Sequence, residues 1–265
     1  MSEAVTPLGT MLAAVRVAGD AAHYTITDDW LQGRTTYGGL SAALCLAGVL
    51  NAHDDLPPLR SAQVAFIGPA AGDVHVRPRI LRRGKSVAFV EADLFHGENL
   101  ATRALFAFGA TRESTLELSR FPMPDVPPPD ACEPLWNRGS RISFQQHFDS
   151  RVALGGRPVS GAGDGDIAYW FRFRDAGDVP AAVALLAIAD GPPPAVMPMF
   201  SAPYPISSVT WQVDVLADDA TAVGWHLVRS TAEGAGRGYS PQTMGVWDES
   251  GRPLLAGRQM VAVFG

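Results

Sequence analysis

The stretch VPAAVALLAIAD, residues 179–190, decides the fold, because it is almost entirely apolar until its last residue. A helix that is hydrophobic on every side is stable only when protein surrounds it. The run ends in one carboxylate, Asp190, and Gly191 and three prolines follow at once. A carboxylate at the end of a buried helix costs free energy unless a partner or a function compensates for it. The stretch therefore predicts a central buried helix and makes Asp190 a candidate functional residue.

Composition and charge are typical of a globular protein rather than a disordered one. Of the 265 residues, 47% are hydrophobic and 18% are charged. A formal net charge of -6 argues against a nucleic-acid-binding surface. Cys45 and Cys132 show no metal or redox spacing, so we expect no metal site and a reducing, cytoplasmic location. We also expect no signal peptide and no membrane span.

A proline-rich stretch, FPMPDVPPPDACEP (121–134), divides the chain. Proline is poorly tolerated in the interior of a helix or of a central strand. We therefore expect a connector over residues 113–140. It would separate an N-terminal half, residues 1–112, from a C-terminal half, residues 141–265.

The two halves follow the same order of elements. In the first half a helical segment, YGGLSAALCLAGVL (37–50), precedes four strand-like segments separated by turn signals. In the second half the helix at 179–190 again precedes four such segments. The last strands overlay, LATRALFAFG (100–109) on LAGRQMVAVF (255–264), which places Gln259 on Ala104 and Arg258 on Arg103. One further strand is expected before each helix, at AAHYTITDDW (21–30) in the first half and within residues 142–175 in the second.

This repeat predicts an α+β fold in which each half curls an antiparallel sheet around one long helix. That arrangement is the hotdog fold, and two copies in one chain make a double hotdog. The alternative is two unrelated α+β units that look alike because short strands look alike. Edge strands of such sheets are often covered by pairing, so we expect a dimer or a larger assembly.

Three polar residues distinguish the second copy from the first. The end of the first helix lacks a counterpart to Asp190. Gln259 faces the core if Arg258 faces solvent, as the alternation of a strand requires, and a buried amide needs partners. Ser208 begins the strand after the helix, where Ser207 and Thr210 are rival candidates and Ser61 holds a similar place in the first copy.

Such a trio is suited to holding a water molecule. The carboxylate can accept a proton while the amide and the hydroxyl fix the direction of attack. Each residue also has a plain structural interpretation. Asp190 could end the helix and bond loop amides, Gln259 could bond nearby backbone, and Ser208 could simply begin a strand.

Over nearly its whole length the sequence resembles the type II, double-hotdog acyl-CoA thioesterases. GRTTYGGLSAAL (33–44) resembles the opening of that family's first helix. In the second half, LLAIADGPPP (185–194), ISSVTWQVDV (206–215) and LLAGRQMVAV (254–263) resemble the segments that carry its catalytic Asp, its Ser or Thr and its Gln. The resemblance implies catalytic roles for Asp190, Ser208 and Gln259, which orient the hydrolytic water in that family.

The chain also departs from the family pattern. Thr210 stands where the family commonly has Asp, and Gly191 with three prolines replaces bulky apolar residues after the aspartate. The first departure weakens the alignment of Ser208 with the Ser or Thr of that family. The second suggests a differently shaped acyl pocket, for which Met197, Met199 and Phe200 are candidate lining residues.

The resemblance implies an acyl-CoA substrate and no separate cofactor, since coenzyme A is part of the substrate. Backbone amides at Gly38 or Gly39 are candidate donors to the oxyanion, although both glycines could serve packing alone. Arg82, Arg83 and Lys85 in one turn are candidate contacts for the coenzyme A phosphates, with Arg237 as a further candidate.

Two other functions compete with thioester hydrolysis. A non-catalytic acyl-CoA-binding protein would keep the pocket without needing the inward carboxylate and amide. An enoyl-CoA hydratase would need an Asp–His pair, for which His147 and His226 lack the spacing. We therefore expect an acyl-CoA thioesterase.

Overall fold

The computed structural model describes residues 5–136, 142–221 and 223–265. The last four residues of the expected connector, 137–140, lie outside the described residues, as do Arg141 and residues 1–4. The first half contains α1 (Leu8–Ala13), β1 (Arg16–Ala18), β2 (Ala21–Ile26), β3 (Leu31–Gln32), β4 (Thr35–Thr36), α2 (Gly38–Ala52), β5 (Leu59–Phe66), β6 (Gly72–Arg83), β7 (Val87–His96) and β8 (Asn99–Gly109). The second half contains β9 (Phe148–Leu154), β10 (Asp166–Phe173), α3 (Ala181–Ala189), β11 (Ile206–Val215), β12 (His226–Ala232), β13 (Tyr239–Asp248) and β14 (Pro253–Val263).

Twelve of these strands form one antiparallel sheet in the order β1-β2-β6-β7-β8-β5-β11-β14-β13-β12-β10-β9. Each half supplies six strands, and β5 pairs with β11 at the centre, where Gln63 lies opposite Gln212. The order of the second half mirrors that of the first, so a pseudo-two-fold axis passes through this pair. The α+β double hotdog expected from the repeat is confirmed. The joining of the two sheets into one was not predicted.

The two central helices are buried, as their all-round apolarity requires. In α3, every residue from Val183 to Ala189 is buried. This helix has 9 residues and is shorter than the predicted 179–190. It begins after Pro180 and ends at Ala189, with Asp190 as its C-cap, ahead of Gly191 and three prolines that cannot continue a helix. No helix in the described part of the chain is long and apolar enough to cross a membrane.

The repeat extends to a shared irregularity in the sheet. The pairing of β5 with β8 shifts register between Leu59 and Ser61, and the pairing of β11 with β14 shifts between Ser208 and Thr210. Because Gln63 corresponds to Gln212, Leu59 corresponds to Ser208. Each half therefore carries a β-bulge, one extra residue in the strand, at the same place.

The register corrects the overlay of the last strands by two residues. Gln259 lies opposite Trp211, and the matching position opposite Ala62 is Phe106, not Ala104. A shift of two residues in a strand leaves every side chain on the same face, so the expectation that Gln259 faces inward survives the error. By the same register Ser61 corresponds to Thr210 rather than to Ser208.

The proline-rich stretch packs on the outer face of the second half's sheet. The indole Nε1 of Trp247 donates to the carbonyl of Phe121 at 2.9 Å, and that of Trp170 donates to the carbonyl of Pro127 at 2.9 Å. Its side chains join a small apolar cluster on that face. The segment thus covers strand surface that would otherwise be exposed, while the domain boundaries stay a prediction.

Candidate active site

Asp190 lies where the two central helices meet. It follows the last residue of α3, and the first turn of α2 faces its side chain. An added Cβ on Gly38 would lie 2.7 Å from Asp190 Oδ2, and one on Gly39 would lie 3.0 Å from Asp190 Cβ. Both positions therefore need glycine for this close approach. The Gly39 N–H also interacts with the Asp190 carboxyl. This turn therefore both allows close packing against Asp190 and stabilises the charge of its carboxylate.

The structure brings Asp190, Ser208 and Gln259 together. The side-chain Nε2 of Gln259 donates to Asp190 Oδ1 at 2.7 Å and to Ser208 Oγ at 3.1 Å. Gln259 is only 2% exposed, whereas Arg258 beside it faces solvent. A carboxylate, a hydroxyl and an amide thus converge from one helix end and two adjacent strands.

The bulge in β11 decides which of the three candidate hydroxyl groups faces the core. Trp211 faces the core, and simple alternation from it would turn Val209 and Ser207 inward. The bulge leaves Val209 as an extra residue and turns Ser208 inward instead. Ser207 bonds the Ser208 carbonyl at 3.3 Å, and Thr210 is exposed. Of the three candidates, only Ser208 bonds Gln259 among the described contacts.

Sequence reasoning missed a fourth polar residue, Gln242 on β13. It is 2% exposed and its Nε2 donates to Gln259 Oε1 at 2.8 Å. Its own Oε1 accepts from the backbone N–H of Ala195 at 2.8 Å. A signal was available, because Gln242 alternates with Ser240, Met244 and Val246 on the inward face of the strand.

Burial shapes the electrostatics of the carboxyl group. Loss of solvent raises the pKa of Asp190 from its ordinary value of 3.8 to about 6, against the opposing hydrogen bonds from Gln259 and Gly39. The neighbouring Tyr37 phenol is buried, and burial and the nearby Asp190 raise its pKa far above neutrality. Tyr37 donates to the carbonyl of Ala187 at 3.1 Å. Asp190 is therefore the group near this point that changes charge close to neutral pH.

A cavity of about 470 Å³ opens beside the carboxylate and draws on both halves of the chain. Its wall combines aromatic and aliphatic side chains with polar ones, which include Ser41, Thr102, Asp190, Ser207 and Ser208. The prolines that follow Asp190 form one wall. Lining residues include Tyr37, Gly38, Phe66, Phe144, Pro193 and Met197.

Other candidate residues do not reach this cavity. Arg83 forms a two-pronged ion pair with Asp55, beyond the C-terminal end of α2, at 2.6 and 2.7 Å. The 15-residue α2 separates that turn from Asp190 by roughly 20 Å. Arg82, Arg83 and Lys85 are absent from the described cavity wall, and their contact with the coenzyme A phosphates stays a prediction.

Of the expected acyl-pocket residues, Met197 lines the cavity. Met199 is 40% exposed, and the ring of Phe200 packs against Tyr204 instead. Arg237 is exposed in the loop between β12 and β13 and does not belong to the described wall.

The two histidines considered for a hydratase lie elsewhere in the core. His147 Nε2 lies 3.2 Å from Asp29 Oδ2, and its ring stacks on Trp30. His226 Nε2 contacts the carbonyl of Thr221 at 3.0 Å. No histidine appears in the wall of the cavity as far as the structure describes it, and the described residues hold no cluster of three or more potential metal ligands.

Fold and site together define a double-hotdog protein with a carboxylate at the junction of its halves. Comparison with family models then places it. Residues 26–109 match the acyl-CoA thioesterase N-terminal domain, and residues 124–263 match the acyl-CoA thioesterase C-terminal domain. The chain belongs to the acyl-CoA thioesterase family.

Solved structures share the fold at low sequence identity. A conserved hotdog-fold protein of unknown function from Alicyclobacillus acidocaldarius is 24% identical with a TM-score of 0.86, over 98% of this chain and 99% of that one. The acyl-CoA thioesterase II TesB2 from Mycobacterium marinum is 15% identical with a TM-score of 0.76, over 96% and 98%. The tesB protein of Mycobacterium avium subsp. paratuberculosis is 14% identical with a TM-score of 0.78, over 97% and 100%. No curated protein matches the chain.

Proposed function

We propose that this protein hydrolyses an acyl-CoA thioester to the free acid and coenzyme A, by direct attack of a water molecule oriented at Asp190. The observation that carries the proposal is the shared contact of Gln259 with Asp190 and Ser208, at 2.7 and 3.1 Å, beside a cavity of about 470 Å³. Family membership supports the class of substrate.

Asp190 is the general base in this scheme. A carboxyl with a pKa of about 6 is ionised at neutral pH and basic enough to accept a proton from water. As the proton moves to Asp190, the water oxygen bonds the thioester carbonyl carbon and the carbonyl becomes an oxyanion. Collapse of this intermediate breaks the carbon–sulfur bond. The proton then passes from Asp190 to the departing thiolate, because a thiol is the weaker acid.

The first turn of α2 is the candidate site for the oxyanion. The first N–H groups of a helix have no partner within the helix and carry its positive end. Gly38 lines the cavity, whereas the Gly39 N–H already interacts with Asp190. We therefore assign oxyanion stabilisation to the Gly38 amide, with Gly39 supporting the carboxylate.

The aromatic and aliphatic part of the cavity wall, with Phe66, Phe144 and Met197, is suited to the acyl chain. Ser208 would bond the water, and Gln259 would fix both Ser208 and Asp190. No observation favours hydration of an enoyl-CoA, because the described cavity wall lacks a histidine.

Release of free thiol from short, medium, long and aromatic acyl-CoAs tests the proposal. We expect hydrolysis by the wild type, and a loss of roughly 1000-fold or more in Asp190→Asn if the general base and its positioning are both lost. Asp214→Asn removes an exposed carboxylate on β11 and serves as the matched control. Full activity in Asp190→Asn and Gln259→Ala would refute the site, and binding without turnover in the wild type would identify a non-catalytic acyl-CoA-binding protein.

A further inference from the structure

The amide of Gln259 can do its work in only one orientation. Asp190 is an acceptor when ionised, so the Gln259 atom that faces it must be the NH₂ group. A glutamine side chain has nearly the same shape when its amide is turned by half a rotation, so shape alone does not enforce this choice. The ionised carboxylate favours this orientation, and a polar group on the other side of Gln259 can fix it in both charge states of Asp190.

Gln242 occupies that other side, and a backbone group fixes its direction in turn. Ala195 N–H can only donate, so the Gln242 atom at 2.8 Å from it must be Oε1. The NH₂ group of Gln242 then faces Gln259 Oε1 at 2.8 Å. This directs the NH₂ group of Gln259 to Asp190 and Ser208.

The prolines after Gly191 make Ala195 the residue whose backbone N–H can bond Gln242. Residues 192–194 are all proline and carry no backbone N–H, so Ala195 supplies the first donor after Gly191. Ala195 is fully buried, as is the side chain of Gln242. The same segment forms a wall of the cavity, so one hydrogen bond connects the position of that wall with the direction of the amides.

Comparison of the two halves shows that this amide pair is not needed to build the fold. β7 and β13 each have 10 residues, and their pairings with β8 and β14 place Val90 at the position of Gln242 and Phe106 at that of Gln259. Both first-half residues are fully buried and apolar. Two buried amides in the second half therefore call for a reason other than packing.

We propose that Gln242 is a positioning residue that sets the direction of the Gln259 amide. The backbone N–H of Ala195 fixes the orientation of the Gln242 amide, and Gln242 in turn fixes that of Gln259. It acts through Gln259 and touches no reacting atom. The inference rests on the proposed hydrolysis for its kinetic consequence, and on geometry alone for its effect on Asp190. Without Gln242, the Gln259 carbonyl is free to face Asp190, which disfavours the ionised carboxylate.

The test compares Gln242→Met, which keeps the length of the side chain, with Gln212→Met, the same change at an exposed position on β11. We expect Gln242→Met to lower kcat for acyl-CoA hydrolysis by roughly 10- to 100-fold with KM little changed, as for a misplaced catalytic group. We also expect the acidic limb of its pH–rate profile to move to higher pH. Gln212→Met should match the wild type in both. A wild-type kcat and an unmoved acidic limb in Gln242→Met would overturn the proposal.

Two further measurements keep the test decisive. If Gln242→Met does not fold, Gln242→Glu retains an oxygen for the Ala195 N–H but offers no hydrogen to Gln259 once ionised, so at alkaline pH it should show the same loss of kcat. If the wild type hydrolyses no acyl-CoA, the proposed function fails separately. A ¹³C NMR titration of the Asp190 carboxyl, assigned with Asp190→Asn, then decides: a higher pKa in Gln242→Met supports the positioning role, and an unchanged pKa refutes it.

Discussion

Replacement of Asp190 by Asn should stabilise the folded chain at neutral pH while it abolishes hydrolysis. Burial raises the pKa of this carboxyl from 3.8 to about 6, so folding favours its protonated form. In the wild type this preference contributes stability that is fully present below pH 3.8 and is lost as the pH rises through about 6. Asn carries no charge at any of these pH values and avoids the loss.

The size of the effect follows from the shift. Each pKa unit corresponds to about 1.4 kcal/mol, so a shift of about 2 units gives about 3 kcal/mol at most. Asn keeps an oxygen that can accept from Gln259 but loses part of the interaction with the Gly39 N–H, which lowers the gain. For a chain of this size, about 3 kcal/mol corresponds to a rise of roughly 6 to 12 °C in Tm.

Thermal unfolding of wild type and Asp190→Asn at about pH 8 and about pH 4 measures this directly. The advantage of Asn should be present at the higher pH and largely absent at the lower one. Asp166→Asn is the control of opposite sign, because the hydrogen bond from Arg229 lowers the pKa of Asp166. That variant should lose stability at the higher pH, with a smaller deficit in acid. An Asp190→Asn variant no more stable than the wild type at either pH would refute the reasoning.

Three further predictions concern turnover, each measured by release of free thiol. The rate should rise with pH through about 6, because Asp190 must be ionised to accept a proton, and a rate that is flat across this range would contradict that role. Ser208→Ala should lower kcat roughly 10- to 100-fold, whereas Ser207→Ala and Thr210→Ala should stay near the wild type, and equal losses in all three would remove the assignment. Gly38→Ala would place a methyl group 2.7 Å from Asp190 Oδ2, so hydrolysis should fall by at least tenfold in a chain that still unfolds cooperatively, and normal turnover would show that this turn can yield.

The amino-acid sequence by itself determined the fold class, the burial of the helix before Asp190 and the inward face of Gln259. A helix apolar on all sides must be buried, and a strand alternates with a period of two, so residues 179–190 and the inward position of Gln259 followed from local patterns. The same period explains the error in the overlay. A shift of two residues keeps every face, and local pattern could not distinguish Phe106 from Ala104 as the counterpart of Gln259.

Only the tertiary structure decided how the site is assembled. The choice of Ser208 over Ser207 depends on a bulge set by pairing with β14, and the pairing of β5 with β11 brings the halves into one sheet. The raised pKa of Asp190 depends on burial against the first turn of α2, more than 140 residues away along the chain. These features arise from contacts between distant segments. The sequence of a segment shows which of its faces is apolar, but it does not show which distant segment packs against that face.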